Sequence, residues 1–332
     1  MKSARKRLKM EKKKSLFFQN KEIVEMLLKE HLMAVKWDPS TPPYAFLFLR
    51  NLEEEPEEVY KKPLQAQDSF NVKVFKEKIC IGHSINKEKY HLCSNSTEVQ
   101  YARCYNCEQN DFEKCFLFCD ASKPYGNCAQ NPEAYEYCVS HPCSVYLALI
   151  ANNVKVGVSF NPLKRWINQG ADIAIEIFRA KNGLEARKIE KEISQKLNVP
   201  QTIRKSQKAR KLNFNLSKSL PEFRELKENV VNYLENTDYE PKESELLYKE
   251  TELSSYYGNI SSLDVNPILN EVEKTMQISG ELVGIKGKLA VTRINNSYYV
   301  TNLSKLIGHM ISFSEVPLKL KGQKSLSEFL SN

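Results

Sequence analysis

The spacing of apolar side chains changes period several times along this chain, and each change predicts a structural element. Over residues 15–36, Phe18, Ile23, Met26, Leu27 and Leu32 recur at helical spacing, which predicts a docked helix. Alternation then predicts strands over 44–49 and 70–75, separated by an acidic linker at 53–58. A second alternating stretch opens after Cys143. Residues 144–150 read as a strand, 151–153 as its turn and 154–159 as the returning strand. Asn161 and Pro162 are the cap and first position of a helix whose apolar stripe is Leu163, Trp166 and Ile167, and Gly170 closes it. Residues 171–178 read as a third strand. A second helix starts at Asn182, with Glu185 in the place of a capping-box partner, and continues through Ala186, Ile189, Ile193 and Leu197. Further on, residues 235–258 read as a linker, and 276–312 as a series of strands turned at Gly280, Gly284, Gly287 and Asn295-Asn296.

These periods divide the chain into a basic arm and helix (1–36), an N-terminal β segment (37–79), a cysteine-rich segment (80–143), an α/β domain ending in a basic helix (144–234), the linker, and a C-terminal β domain (259–332). The terminal β segments are expected to pair into one small barrel-like domain with the other parts inserted between them. With 332 residues and 41% apolar side chains the chain has material for buried cores. Its longest apolar run, 145–151, is too short to cross a bilayer, and the basic N-terminus lacks the apolar stretch of a secretory signal. The expected location is therefore the cytoplasm, with no membrane partner.

Charge adds a partner. Nearly all of the net charge of +8 sits in the first fourteen residues, where eight Lys/Arg face one Glu. Such an arm suits a polyanion, because each neutralised phosphate releases counterions; a solvated, frayed terminus is the alternative. Arg204, Lys205, Lys208, Arg210 and Lys211 form a second basic run, read as a phosphate-contact patch.

All nine cysteines lie between Cys80 and Cys143, together with His83, His91 and His141. An odd number of cysteines without an export signal argues against a disulfide framework and for thiolate ligands. Cys104-Tyr105-Asn106-Cys107 is a knuckle pair that puts two thiolates on adjacent corners of a tetrahedron, and Cys80-Ile81-Gly82-His83 supplies a second such turn with Cys93 nearby. Cys115, Cys119, Cys128, Cys138 and Cys143 complete the candidate ligands, in a stretch with too little apolar periodicity for a hydrophobic core. Zinc is the expected metal, in structural sites: no four-cysteine ferredoxin run and no catalytic zinc signature is present.

The order strand, hairpin, strand, helix, strand, helix, with the residues at its element ends, resembles the GIY-YIG nucleases over about residues 144–200. Val145-Tyr146-Leu147 stands in the place of that family's first motif and Lys155-Val156-Gly157 in the place of its second. The resemblance implies that Tyr146 would help activate water, Arg165 steady a phosphate and Glu190 hold a magnesium ion. Lys155 replaces the tyrosine of the second motif, as a base or a phosphate partner. A second resemblance covers about residues 70–310. Its motifs are VYLAL (145–149), VKVGVS (154–159), RWINQGA (165–171), QKARKL (207–212) and GELVGIKG (280–287), and they are similar to an uncharacterised archaeal and bacterial family, domain of unknown function 2797. Members more often carry His where this chain has Cys143, which would preserve a ligand.

The expected fold is thus α+β: a zinc-binding Cys-rich segment followed by a GIY-YIG-like β-β-α-β-α domain, with flanking terminal β segments. The expected function is zinc-stabilised nucleic-acid binding, RNA before DNA, by a GIY-YIG-like domain that has lost or altered its cutting. A divalent-metal-dependent nuclease and a protein-interaction scaffold are the alternatives.

Overall fold

The computed structural model describes residues 29–318 apart from 54–57, 120–130, 204–207, 210, 213–215 and 264. The basic arm lies outside the described residues, as does most of the expected N-terminal helix. The last part of that helix is instead a strand, β1 (Glu30–Trp37). Val35 and Trp37 favour an extended backbone, and β1 gains two neighbours: it pairs antiparallel with β2 (Ala45–Arg50) and, at its start, with β16 (His309–Phe313).

β16 lies between β1 and β4 (Val72–Lys78), so the first and last described strands build one curled half-barrel sheet. Its order is β12 (Gln277–Ile278), β4, β16, β1, β2, β3 (Val59–Pro63). A second sheet runs β11 (Ile268–Asn270), β15 (Ser297–Asn302), β14 (Leu289–Ile294), β13 (Glu281–Lys286). Gly284, expected as a turn, sits inside β13 at a register shift. A Cβ there would lie 2.1 Å from the Tyr257 carbonyl oxygen, so the close approach of that loop requires glycine.

The third sheet is the predicted α/β unit. β7 (Cys143–Ile150), buried at every position, lies between β8 (Asn153–Ser159) and β9 (Ile173–Ala180), with β10 (Thr251–Glu252) on the far edge. Helix α4 (Pro162–Gln169) starts where Asn161 Oδ1 accepts from the Lys164 amide. It closes on left-handed Gly170, whose amide donates to the Ile167 carbonyl. Helix α5 (Gly183–Lys196) is capped by Asn182, and Glu185 reaches back to the Lys181 amide at 2.8 Å, one residue before the cap itself. Period two splits β7 between two cores. Tyr146, Ala148 and Ile150 pack with Trp166 and Ile167 toward the half-barrel, whereas Val145, Leu147 and Leu149 pack with Ile189, Ile193 and residues of α6 (Leu216–Glu235). Trp37 Nε1 donates to the Gly287 carbonyl at 2.8 Å, and Lys286 pairs with Asp172, so the sheets dock directly on one another.

The segment expected as a linker is a strap along β9. Lys242 and Tyr248 amides donate to the Arg179 and Glu176 carbonyls, and β10 completes the cover. An open strand edge leaves backbone groups that need partners, which a bare linker would not satisfy.

Within the cysteine-rich segment, β5 (His83–Ser84) and β6 (Tyr90–His91) form a small hairpin, followed by α1 (Tyr105–Asn110), α2 (Phe112–Phe118) and α3 (Pro132–Ser140). Contrary to expectation this segment has an apolar nucleus: Phe112, Phe116, Tyr137 and Phe160 meet edge to face with centroids 5.1 to 6.1 Å apart. Aromatic rings supply it without the helical periodicity that betrays a larger core. No helix among the described residues is long and apolar enough to cross a membrane.

Candidate metal centre and cationic cleft

Cys80, Cys93, Cys104 and Cys107 converge, with their sulfur atoms all within 4.8 Å of one another. Cys104 precedes α1 in extended conformation and Cys107 lies in its first turn, so the knuckle presents both sulfurs inward. The Gly82 and Cys104 amides donate to Cys80 Sγ at 3.4 and 3.2 Å, bonds that favour a thiolate. Buried Arg50 ties the centre to β2 by donating to the Cys93 carbonyl at 2.8 Å and to Ser94 Oγ at 3.0 Å. Burial raises the Cys80 thiol, and burial with neighbouring thiols raises Cys107 further. The Cys107 backbone amide lowers Cys104 to about 7. The buried Cys80 and Cys107 thiols are thus neutral unless a cation draws off their protons, and the four cysteines together could hold a metal ion such as zinc.

The expected Cys80–His83 pair is not formed. His83 belongs to a second group, with His91 and Cys107. The two-residue β5–β6 pairing sets the two imidazoles opposite each other, with ring centroids 4.9 Å apart. Cys119, Cys138 and Cys143 join neither group; they sit at the end of α2, in α3 and at the start of β7, along one wall of a cleft. Burial lifts the Cys143 thiol to about 12. Cys115 lies within α2, and Cys128 lies outside the described residues. His141 stacks on Tyr137 at 4.0 Å.

The four residues singled out in the α/β unit are brought together. Tyr146 is fully buried across from Gly157, and burial raises its phenol, which stays neutral. Gln169 links it to Arg165: the amide oxygen accepts from Arg165 Nε at 2.9 Å and the amide nitrogen reaches the Tyr146 hydroxyl at 3.1 Å. Lys155 is buried beside them, its ammonium lowered to about 8 by desolvation first and by the Arg165 charge second. Glu190 pairs with Arg187 Nη1 at 2.7 Å, and Arg187 also donates to the Phe116 carbonyl.

Arg187 and Gln169 were not singled out in the sequence. The i, i+3 spacing of Arg187 and Glu190 was the available signal for the first. Of the basic run, Lys208 donates to the Gln169 carbonyl at 2.9 Å and Lys211 to Asn152 Oδ1 at 2.8 Å, so both tether the segment to the α/β unit. Arg204, Lys205 and Arg210 lie outside the described residues.

Arg165 and Arg187 open onto a cleft of 710 Å³, whose far side is lined by the β5–β6 hairpin. Lys36, Lys87, Lys89, Lys164, Arg165 and Arg187 line it, against two carboxylates, Glu88 and Glu113. Tyr90, Phe116, Tyr137 and Phe160 supply ring surface in the same walls. A cleft with this excess of cations concentrates field on an anion.

Residues 68–311 match a family described as protein of unknown function, DUF2797. No curated protein and no solved structure matches the chain.

Proposed function

The chain belongs to the DUF2797 family, and we propose that it is a nucleic-acid-binding protein stabilised by zinc at Cys80, Cys93, Cys104 and Cys107. In this reading the α/β unit is a GIY-YIG-like domain used to bind rather than to cut, and RNA is preferred to DNA. The observation that carries it is the cleft, in which six cationic side chains face two carboxylates. Phosphate contacts of that kind give affinity without sequence preference. Rings along the same walls suit unstacked bases, which RNA offers in its loops and single strands.

Binding without cleavage is favoured by the state of Glu190. It is the carboxylate expected to hold magnesium, and it is already paired with Arg187 in a buried setting. A single, neutralised carboxylate is a poor donor set for a hard cation that needs oxygen ligands. The second reading, a metal-dependent nuclease, is favoured by the linkage of buried Tyr146 through Gln169 to Arg165 beside Lys155.

The test is incubation of the purified full chain with mixed RNA and DNA, with and without magnesium, scoring retention and cleavage. Retention without cleavage is expected. Magnesium-dependent cleavage that a Glu190→Ala variant loses while still binding would establish the nuclease. Neither retention nor cleavage would leave a protein-interaction scaffold.

A further inference from the structure

His83, His91 and Cys107 form a second convergent group beside the four cysteines, with ligand atoms all within 4.8 Å of one another and Cys107 common to both groups. His83 and His91 are register partners across the β5–β6 hairpin, with ring centroids 4.9 Å apart. His83 is 9% exposed, and its Nδ1 has no hydrogen-bond partner among the described residues. A buried imidazole nitrogen left unpaired costs free energy, so its presence asks for a ligand. His91 is exposed.

We propose that the Cys107 thiolate bridges two zinc ions, one held by Cys80, Cys93 and Cys104 as well, the other by His83 and His91 with its fourth position open to solvent. Charge supports this count. Four thiolates around one zinc ion leave two excess negative charges, and Cys80 and Cys107 are almost fully buried. A second zinc ion on two neutral imidazoles cancels that excess, which lowers the cost of burying the cluster. A bridging thiolate and two imidazoles are also the soft-to-borderline donors that zinc prefers, and three protein ligands plus water are the coordination of an open zinc site. The second ion would act locally on the cleft. It would fasten the two strands of the hairpin that carries Lys87, Lys89 and Tyr90 into the cleft wall.

The proposal rests on the four-cysteine centre and is independent of nucleic-acid binding. The experiment is zinc quantitation per chain on the full-length protein and on His91→Ala, whose exposed side chain makes it the milder change, with His83→Ala as the second variant. Cobalt(II) titration of each follows the thiolate-to-metal absorption. The expected result is that each variant holds one zinc ion fewer than the wild type and keeps the thiolate–cobalt band of the first equivalent. A wild type with a single zinc ion, or variants with an unchanged count, would overturn the second site and leave the four-cysteine centre standing. A wild type with no zinc would overturn both.

Discussion

The hydroxyl of Tyr146 lies over the α-carbon of Gly157, its register partner on the next strand, so closely that a Cβ on Gly157 would stand 2.5 Å from that oxygen. The second motif therefore needs its glycine to let the phenol lie flat across β8 and reach Gln169. Gly157→Ala is expected to destabilise the protein by about 1–3 kcal/mol, the usual cost of overpacking a filled core. Urea unfolding measures it, and a change below about 0.5 kcal/mol would show that the ring is free to move.

Metal removal should act on one region first. Stripping the metal with a strong chelator is expected to expose the cysteine-rich segment to protease and to lower the melting temperature, because structural zinc contributes folding free energy directly. Cys104→Ser should do the same without chelator. Limited proteolysis followed by mass spectrometry checks this, and an unchanged digestion pattern would mean that the aromatic nucleus around Phe112 holds the segment alone.

Lys155 gives a pH dependence with a definite sign. Its folded-state value, about 8, is below the ordinary 10.5, so its contribution to stability is full above pH 10.5 and is lost as pH falls through 8. The difference corresponds to about 3 kcal/mol. Relative to Lys155→Met, the wild type should therefore gain stability between pH 8 and 10.5, as read from paired denaturation curves. Parallel curves would place the ammonium in water.

Breaking the Arg187–Glu190 pair from one side should be costly. Arg187→Ala leaves Glu190 buried without its counter-charge, for an expected loss of about 3–5 kcal/mol. Adding Glu190→Gln should recover a large part of it. A double-mutant cycle measures the coupling, and additive losses would contradict the pairing.

The sequence revealed the α/β unit well because its signals are local. Asn161-Pro162, Gly170 and Asn182 are caps that act within one helical turn, and β7 and β8 alternate with period two on either side of a short turn. The metal centre was half legible. The Cys104–Cys107 knuckle is a local feature, but the choice of Cys93 over His83 as partner of Cys80 depends on how β5 and β6 pair, and two-residue strands leave no periodic trace. The N-terminal strand was misread because Leu32 satisfies both a helical stripe and a strand. Only its partner β16, far along the chain, decides between them. Cations of the cleft come from separate elements, Lys36 from β1, Lys87 and Lys89 from the hairpin and Lys164 from α4, so no single stretch of sequence displays them.

The most direct test of the account is the salt dependence of single-stranded RNA binding by the full chain and by Lys164→Ala and Arg165→Ala. Affinity should fall steeply, by about 300-fold between 50 and 200 mM salt if six phosphates of a single strand are contacted. Each substitution should reduce the slope of log K against log salt by about 0.7, the single-strand value for one phosphate contact. A salt-independent affinity, or slopes that neither substitution changes, would contradict a phosphate-binding cleft.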